Sequence, residues 1–146
     1  MKRIDYYEMI SKLFEFKTIR DENGTEYVLF SYCLDSMDIP DKTVCINSAN
    51  IPDKTAFEAL ENHTHLLDNL TKEEFERLIP VAQNLGKSLL NNLICNFPEK
   101  HFIVYVSIQV HDSMIIRFHQ KWENEPPYYN PADFNSPTER VCAFEN

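Results

Sequence analysis

Between Phe102 and Trp122 apolar and polar residues alternate with a period of two, and no other stretch restricts the fold as tightly. Successive side chains of a strand point to opposite faces. Phe102, Val104, Val106, Ile108 and Val110 therefore share one side of a first strand, and Ile103, Tyr105, Ser107 and Gln109 the other. In a second strand Met114, Ile116, Phe118, Gln120 and Trp122 alternate with Ile115, Arg117, His119 and Lys121. A two-residue loop pairs Val106 with Arg117 and mixes the faces. A three-residue loop, His111-Asp112-Ser113, pairs Val110 with Met114, Ile108 with Ile116 and Val106 with Phe118, so burial of one face selects it. The pattern predicts a hairpin with a greasy underside and a solvated top, where Tyr105 lies beside His119 and Ser107 beside Arg117.

The underside needs a partner, and the preceding segment supplies one. Thr71-Lys72-Glu73-Glu74 fits a capping box, in which hydroxyl and carboxylate satisfy each other's free backbone donors. Phe75, Leu78 and Ile79 follow at helical spacing. Pro80 lacks an amide hydrogen, so it predicts a kink or the start of a second helix. Beyond it Ala82, Leu85, Leu89 and Leu93 form one stripe and Leu90, Ile94 and Phe97 another, as on a helix buried on more than one side. Gly86 beside the first stripe permits close approach of a strand or a neighbouring helix.

Upstream, Tyr6, Met9, Ile10 and Leu13 predict an amphipathic helix over Tyr6–Phe16. Asn23-Gly24 predicts a two-residue hairpin turn, with Ile19 opposite Val28. Ile-Pro-Asp-Lys-Thr occurs at 39–43 and again at 51–55; both copies read as turns, the second opening a helix through Ala56 to Leu60. Between the copies, Thr43 to Asn47 is a short β-like run. The segment Glu123–Asn146 holds four prolines and the aromatics Tyr128, Tyr129, Phe134 and Phe144, too many rings for a solvated linker. It is expected to lie irregularly across the rest, pinned by its rings. Together these elements predict an α+β fold of about four to five antiparallel strands with helices on one face. The 146 residues form one domain, 1–146, with a packed tail at 123–146.

Function is bounded mainly by exclusion. Two glycines, Gly24 and Gly86, are too few for a phosphate-cradling loop. Cys33, Cys45, Cys95 and Cys142 are widely spaced and read as buried free thiols rather than zinc ligands. His63-Thr64-His65 with Asp68 is the tightest metal-like cluster. Read on a helix, positions 63 and 65 point apart, so no metal or cofactor is expected. His119 with Tyr105, Arg117 and Lys121 imitates a base beside a hydroxyl, but lacks a third group to orient the imidazole. The same face suits an acidic peptide or phosphate less well than plain solvation. No segment has the apolar length of a leader or a membrane span, which predicts a cytoplasmic chain with no membrane partner.

The net charge of −9 is uneven. Residues 21–76 carry thirteen acidic and three basic side chains, and 77–122 two acidic and five basic. A concentrated acidic field repels nucleic acid and speeds encounter with a basic protein. Asp35, Asp38 and Asp41 are the natural steering group, and Trp122, Tyr128 and Tyr129 the natural ring anchors.

The run Arg117-Phe118-His119-Gln120-Lys121-Trp122-Glu123-Asn124-Glu125-Pro126-Pro127-Tyr128-Tyr129 resembles the closing segment of small bacterial immunity proteins from polymorphic or contact-dependent toxin systems. It spans about a tenth of the chain. The resemblance implies a short, cytoplasmic, non-enzymatic protein that blocks a toxin encoded beside it. It assigns no toxin-contact residue. A regulatory or adaptor subunit of a larger complex is the alternative, and a small enzyme working around His119 and Tyr105 the third.

Overall fold

A computed structural model describes residues 2–33 and 52–146. Asp35, Asp38, Asp41, Cys45, the Thr43–Asn47 run and the first Ile-Pro-Asp-Lys-Thr copy lie outside them. Among the described residues the fold is α+β, with a two-stranded and a four-stranded antiparallel sheet and three helices. The elements are α1 (Arg3–Lys12), β1 (Phe16–Arg20), β2 (Glu26–Phe30), α2 (Lys54–Glu61), β3 (His63–Asp68), α3 (Lys72–Asn96), β4 (Phe102–Gln109), β5 (Ser113–Gln120) and β6 (Glu139–Glu145). β1 pairs with β2; the larger sheet runs β3-β5-β4-β6.

The period-two ribbon folds as β4 and β5, with Val104 opposite Phe118, Val106 opposite Ile116 and Ile108 opposite Met114. The apolar faces coincide as expected, but the pairing differs from the expected one by two residues. The loop is Val110-His111-Asp112, not His111-Asp112-Ser113. Its neighbours fix it there: His111 N–H donates to Leu70 O, Val110 N–H to Thr138 O, and Asp112 O accepts from Leu70 N–H. His111 takes the left-handed conformation at φ 62.

α3 covers the apolar face. Its capping box forms, with Glu74 N–H donating to Thr71 Oγ1 at 3.2 Å and Thr71 N–H to Glu74 Oε1 at 2.9 Å. The helix runs through Pro80 as one element. Pro80 and Glu76, the residue whose carbonyl loses its partner, are both exposed, so the lost bond falls on the outer side of the helix. Phe75, Ala82, Gly86, Leu89, Leu90 and Leu93 are buried. A Cβ on Gly86 would stand 2.3 Å from the Phe144 ring of β6, so the absent side chain seats that strand.

Three upstream expectations change. The first helix ends at Lys12 with no buried residue; Leu13, just beyond it, is buried while Ile4 and Tyr7 are exposed. The β1–β2 turn is longer than Asn-Gly alone, setting Ile19 opposite Tyr27 rather than Val28. Asp21 N–H donates to Thr25 O, Asp21 Oδ1 accepts from Asn23 and Thr25 N–H, and only Gly24 has a positive φ, 78. Residues 63–65 are strand, not helix, so His63 and His65 share a face with ring centroids 5.8 Å apart. The tail is irregular to Thr138 apart from one 3-10 turn at Pro131–Phe134, after which β6 pairs with β4. Of the described cysteines Cys33 is buried, Cys142 half-buried and Cys95 exposed.

Candidate functional site

The face of β4 and β5 opposite α3 was expected to be solvated, and around Ile103, Tyr105, Arg117 and His119 it is covered, while Ser107 and Ile115 are half-buried and Gln109 and Lys121 exposed. After β5 the chain turns at Trp122, and Glu125 docks on the first turn of α2. There Thr55 N–H and Oγ1 donate to Glu125 Oε1 at 2.8 and 2.9 Å, and Lys54 lies 3.3 Å from Oε2. Pro126 and Pro127, whose rings fix φ, carry the chain back over the sheet. Tyr128, Tyr129 and Phe134 then pack against Ile103, Tyr105 and Val141. A strand face bearing Ile103 and Tyr105 is half apolar, and the ring-rich strap removes that area from water.

Under the strap Tyr105 and His119 are each 1% exposed and Arg117 7%. The extra two-residue offset sets Tyr105 opposite Arg117, yet its hydroxyl still reaches His119 diagonally. His119 Nδ1 donates to Gln120 O at 2.7 Å, because a carbonyl only accepts. Nε2 is therefore the acceptor, taking Tyr105 Oη–H at 3.2 Å and Tyr128 N–H at 3.3 Å. Desolvation holds the imidazole below its ordinary 6.5, with Gln120 O pulling the other way. Desolvation also pushes the Tyr105 phenol up to about 12. The pair thus consists of a neutral base with its lone pair taken and a hydroxyl that keeps its proton. Arg117 Nη1 donates to Ala59 O at 3.1 Å, and its guanidinium lies 5.2 Å from the Tyr128 ring and 5.4 Å from Tyr129. Its Nε is buried without a partner. Lys121 is turned outward to Glu145 at 3.2 Å and to Asn146 O. Of the expected polar set, then, the fold gathers Tyr105, Arg117 and His119 and leaves Lys121 at the rim.

The three candidate anchor rings are all partly used inside the molecule. Tyr128 and Tyr129 flank Arg117, and Trp122 Nε1–H donates to Glu58 Oε1 at 2.8 Å. A cavity of about 260 Å³ opens beside them, lined by Thr55, His119, Lys121, Trp122 and Glu125 among others. A larger groove of about 420 Å³ separates α1 from β3, between Asp5, Glu8, Met9, Tyr32, His63 and His65. His63 Nδ1 bonds Leu60 O and His65 Nδ1 bonds Asp68 Oδ1 at 2.9 Å. Among the described residues no three His, Cys, Asp or Glu side chains converge as metal ligands would. Nor is any helix there long and apolar enough to cross a membrane.

Glu58 is the residue that sequence reasoning passed over. It is fully buried and accepts four N–H bonds: Gln120 N–H and Trp122 Nε1–H on Oε1, Val28 N–H and Gln120 Nε2–H on Oε2, at 2.8–2.9 Å. Burial pushes its carboxyl up to about 7, while the four donors pull it down. One turn later Asn62 repeats the device, accepting from Phe30 N–H and donating to Val28 O and Phe118 O. These two side chains bridge the backbone of β2 to that of β5, where β3 no longer pairs. The available signal was a carboxylate inside the apolar run Ala56-Phe57-Glu58-Ala59-Leu60, four residues before an asparagine.

Compared with protein-family models, with curated proteins and with solved structures, the chain matches none.

Proposed function

We propose that the chain is a non-enzymatic, immunity-type inhibitor that binds and neutralises a basic, nuclease-like toxin domain. What carries the reading is His119: uncharged, 1% exposed, and with both ring nitrogens bonded inside the fold, Nδ1 to Gln120 O of its own strand and Nε2 to Tyr105 of β4 and Tyr128 N–H of the strap. A histidine so used is a structural pivot, and the reactive-looking cluster around it is absorbed by the fold. The exterior contributes the other half, a net charge of −9 with its acid concentrated in residues 21–76. A cationic active site is met by such a field at an increased association rate. Asp35, Asp38 and Asp41 steer the partner, and the outer edges of Trp122, Tyr128 and Tyr129 supply contact area.

The test is co-expression with the product of the adjacent reading frame, followed by co-purification and a growth assay. Binding with rescue of growth is expected. The triple variant D35N/D38N/D41N should slow association at low salt and leave dissociation nearly unchanged. A neighbour that is neither toxic nor bound removes the proposal. The cavity beside His119 favours one competing reading, a small enzyme. A turnover abolished by His119→Ala, in a protein still folded by circular dichroism, would put that reading in its place.

A further inference from the structure

We propose that Glu58 is a proton-operated latch on the C-terminal strap: as a carboxylate it holds the Trp122 indole, and on protonation it lets the indole go. The geometry leaves few choices. Each carboxylate oxygen accepts two N–H donors and none of the four comes from a cation. A neutral carboxyl has an O–H in place of one acceptor, and that hydrogen faces existing donors. One donor must then leave. Val28 N–H and Gln120 N–H are fixed in strands, and the Gln120 side chain is tied at both ends, Nε2 to Glu26 O and Oε1 to Lys100 Nζ. Trp122 alone is held by a side chain outside the sheets, and it is the root from which the strap runs to Tyr128 and Tyr129.

The groups facing this carboxyl act as follows. Tyr27 on β2 packs its ring 5.6 Å from Trp122. Lys54 on α2 lies 5.4 Å above the indole, but its ion pair is with Glu125 of the strap. Lys100, before β4, pairs with Glu26 on β2 at 3.3 Å. His119 on β5 faces the opposite side of the sheet from Gln120, and Asp53 caps α2 through Ala56 N–H. No cation therefore bonds the Glu58 carboxylate, and desolvation brings its titration into the neutral range.

Trp122 is the sole tryptophan, so the latch reports on itself. Emission of the full chain followed from pH 9 to pH 5 should show a one-proton transition in the wild type. Glu58→Gln should abolish the transition and hold the indole in its released environment throughout. His119→Gln should retain the transition. A wild-type emission without a transition overturns the proposal, as does a transition that survives Glu58→Gln. Should that variant fold poorly, the Trp122 indole N–H resonance of the wild type decides. It must move away from its hydrogen-bonded position as pH falls; an unmoved resonance sinks the latch.

Discussion

A fully buried carboxylate without a cation is an expensive residue, and at Glu58 the expense is met by four N–H donors. Removing it should show how much the junction depends on them. Glu58→Ala leaves two backbone donors, Val28 and Gln120, without acceptors, and should cost about 2 kcal/mol or more in urea unfolding. The pH dependence follows from the two displaced titrations, and their signs oppose. Glu58 holds its proton more tightly folded than unfolded, about 7 against an ordinary 4.5, so its contribution favours the folded state as pH falls through that window. Above about pH 7 that contribution is flat. His119 is held below 6.5 when folded, so the unfolded chain takes its proton first and stability is lost as pH falls past 6.5. Stability measured from pH 5 to 8 should lose its rising acid-side component in Glu58→Gln and its falling component in His119→Gln. Protonation of Glu58 can favour the folded state while opening the latch, because relief of the buried charge outweighs one indole hydrogen bond.

At the scale of elements, α3 is the scaffold on which the larger sheet is laid, and two contacts test it. Gly86→Ala sets a methyl within 2.3 Å of the Phe144 ring. Overpacking of this kind typically costs about 1–3 kcal/mol, and the melting temperature should fall accordingly. Combining it with Phe144→Leu should recover part of the loss, since the two residues share one space. Thr71→Ala removes the reciprocal cap at the other end and should cost about 1 kcal/mol, read as faster amide exchange in the first turn of α3. α1 behaves differently. None of its residues is buried, and Ile4 and Tyr7 stand 61% and 65% exposed. Its truncation should therefore change stability far less than either α3 variant.

For the whole molecule the strap and β6 close both what is covered and what is paired. β6 gives β4 its second neighbour, and Phe144 and Cys142 extend the apolar layer over α3. Deleting residues 139–146 should expose the edge of β4 and the strap's seat, giving an aggregating chain in light scattering. Deleting only the three outer rings as Tyr128→Ala, Tyr129→Ala and Phe134→Ala should leave both sheets intact but open Tyr105 and His119 to solvent. The His119 imidazole then returns towards its ordinary titration, visible in its ring proton resonances.

What the sequence alone determined is what repeats locally. The alternation through Phe102–Gln120, the capping box at Thr71 and the leucine stripes of α3 each follow from a period of two or of 3.6. Gly86 announced a close approach, and β6 makes it. The turns were less legible: Val110-His111-Asp112 is held by Leu70 and Thr138, which lie far off in sequence. The fate of the hairpin's polar face was decided only by tertiary structure, because alternation says which residues share a face and nothing about what is laid upon it. Tyr105, Arg117 and His119 read as solvated until the strap brings Tyr128 and Tyr129 over them. Glu58 shows its partners only when β2, β5 and Trp122 converge on it. Burial and hydrogen bonding across distant segments depend on the path of the whole chain, and no periodicity carries that information.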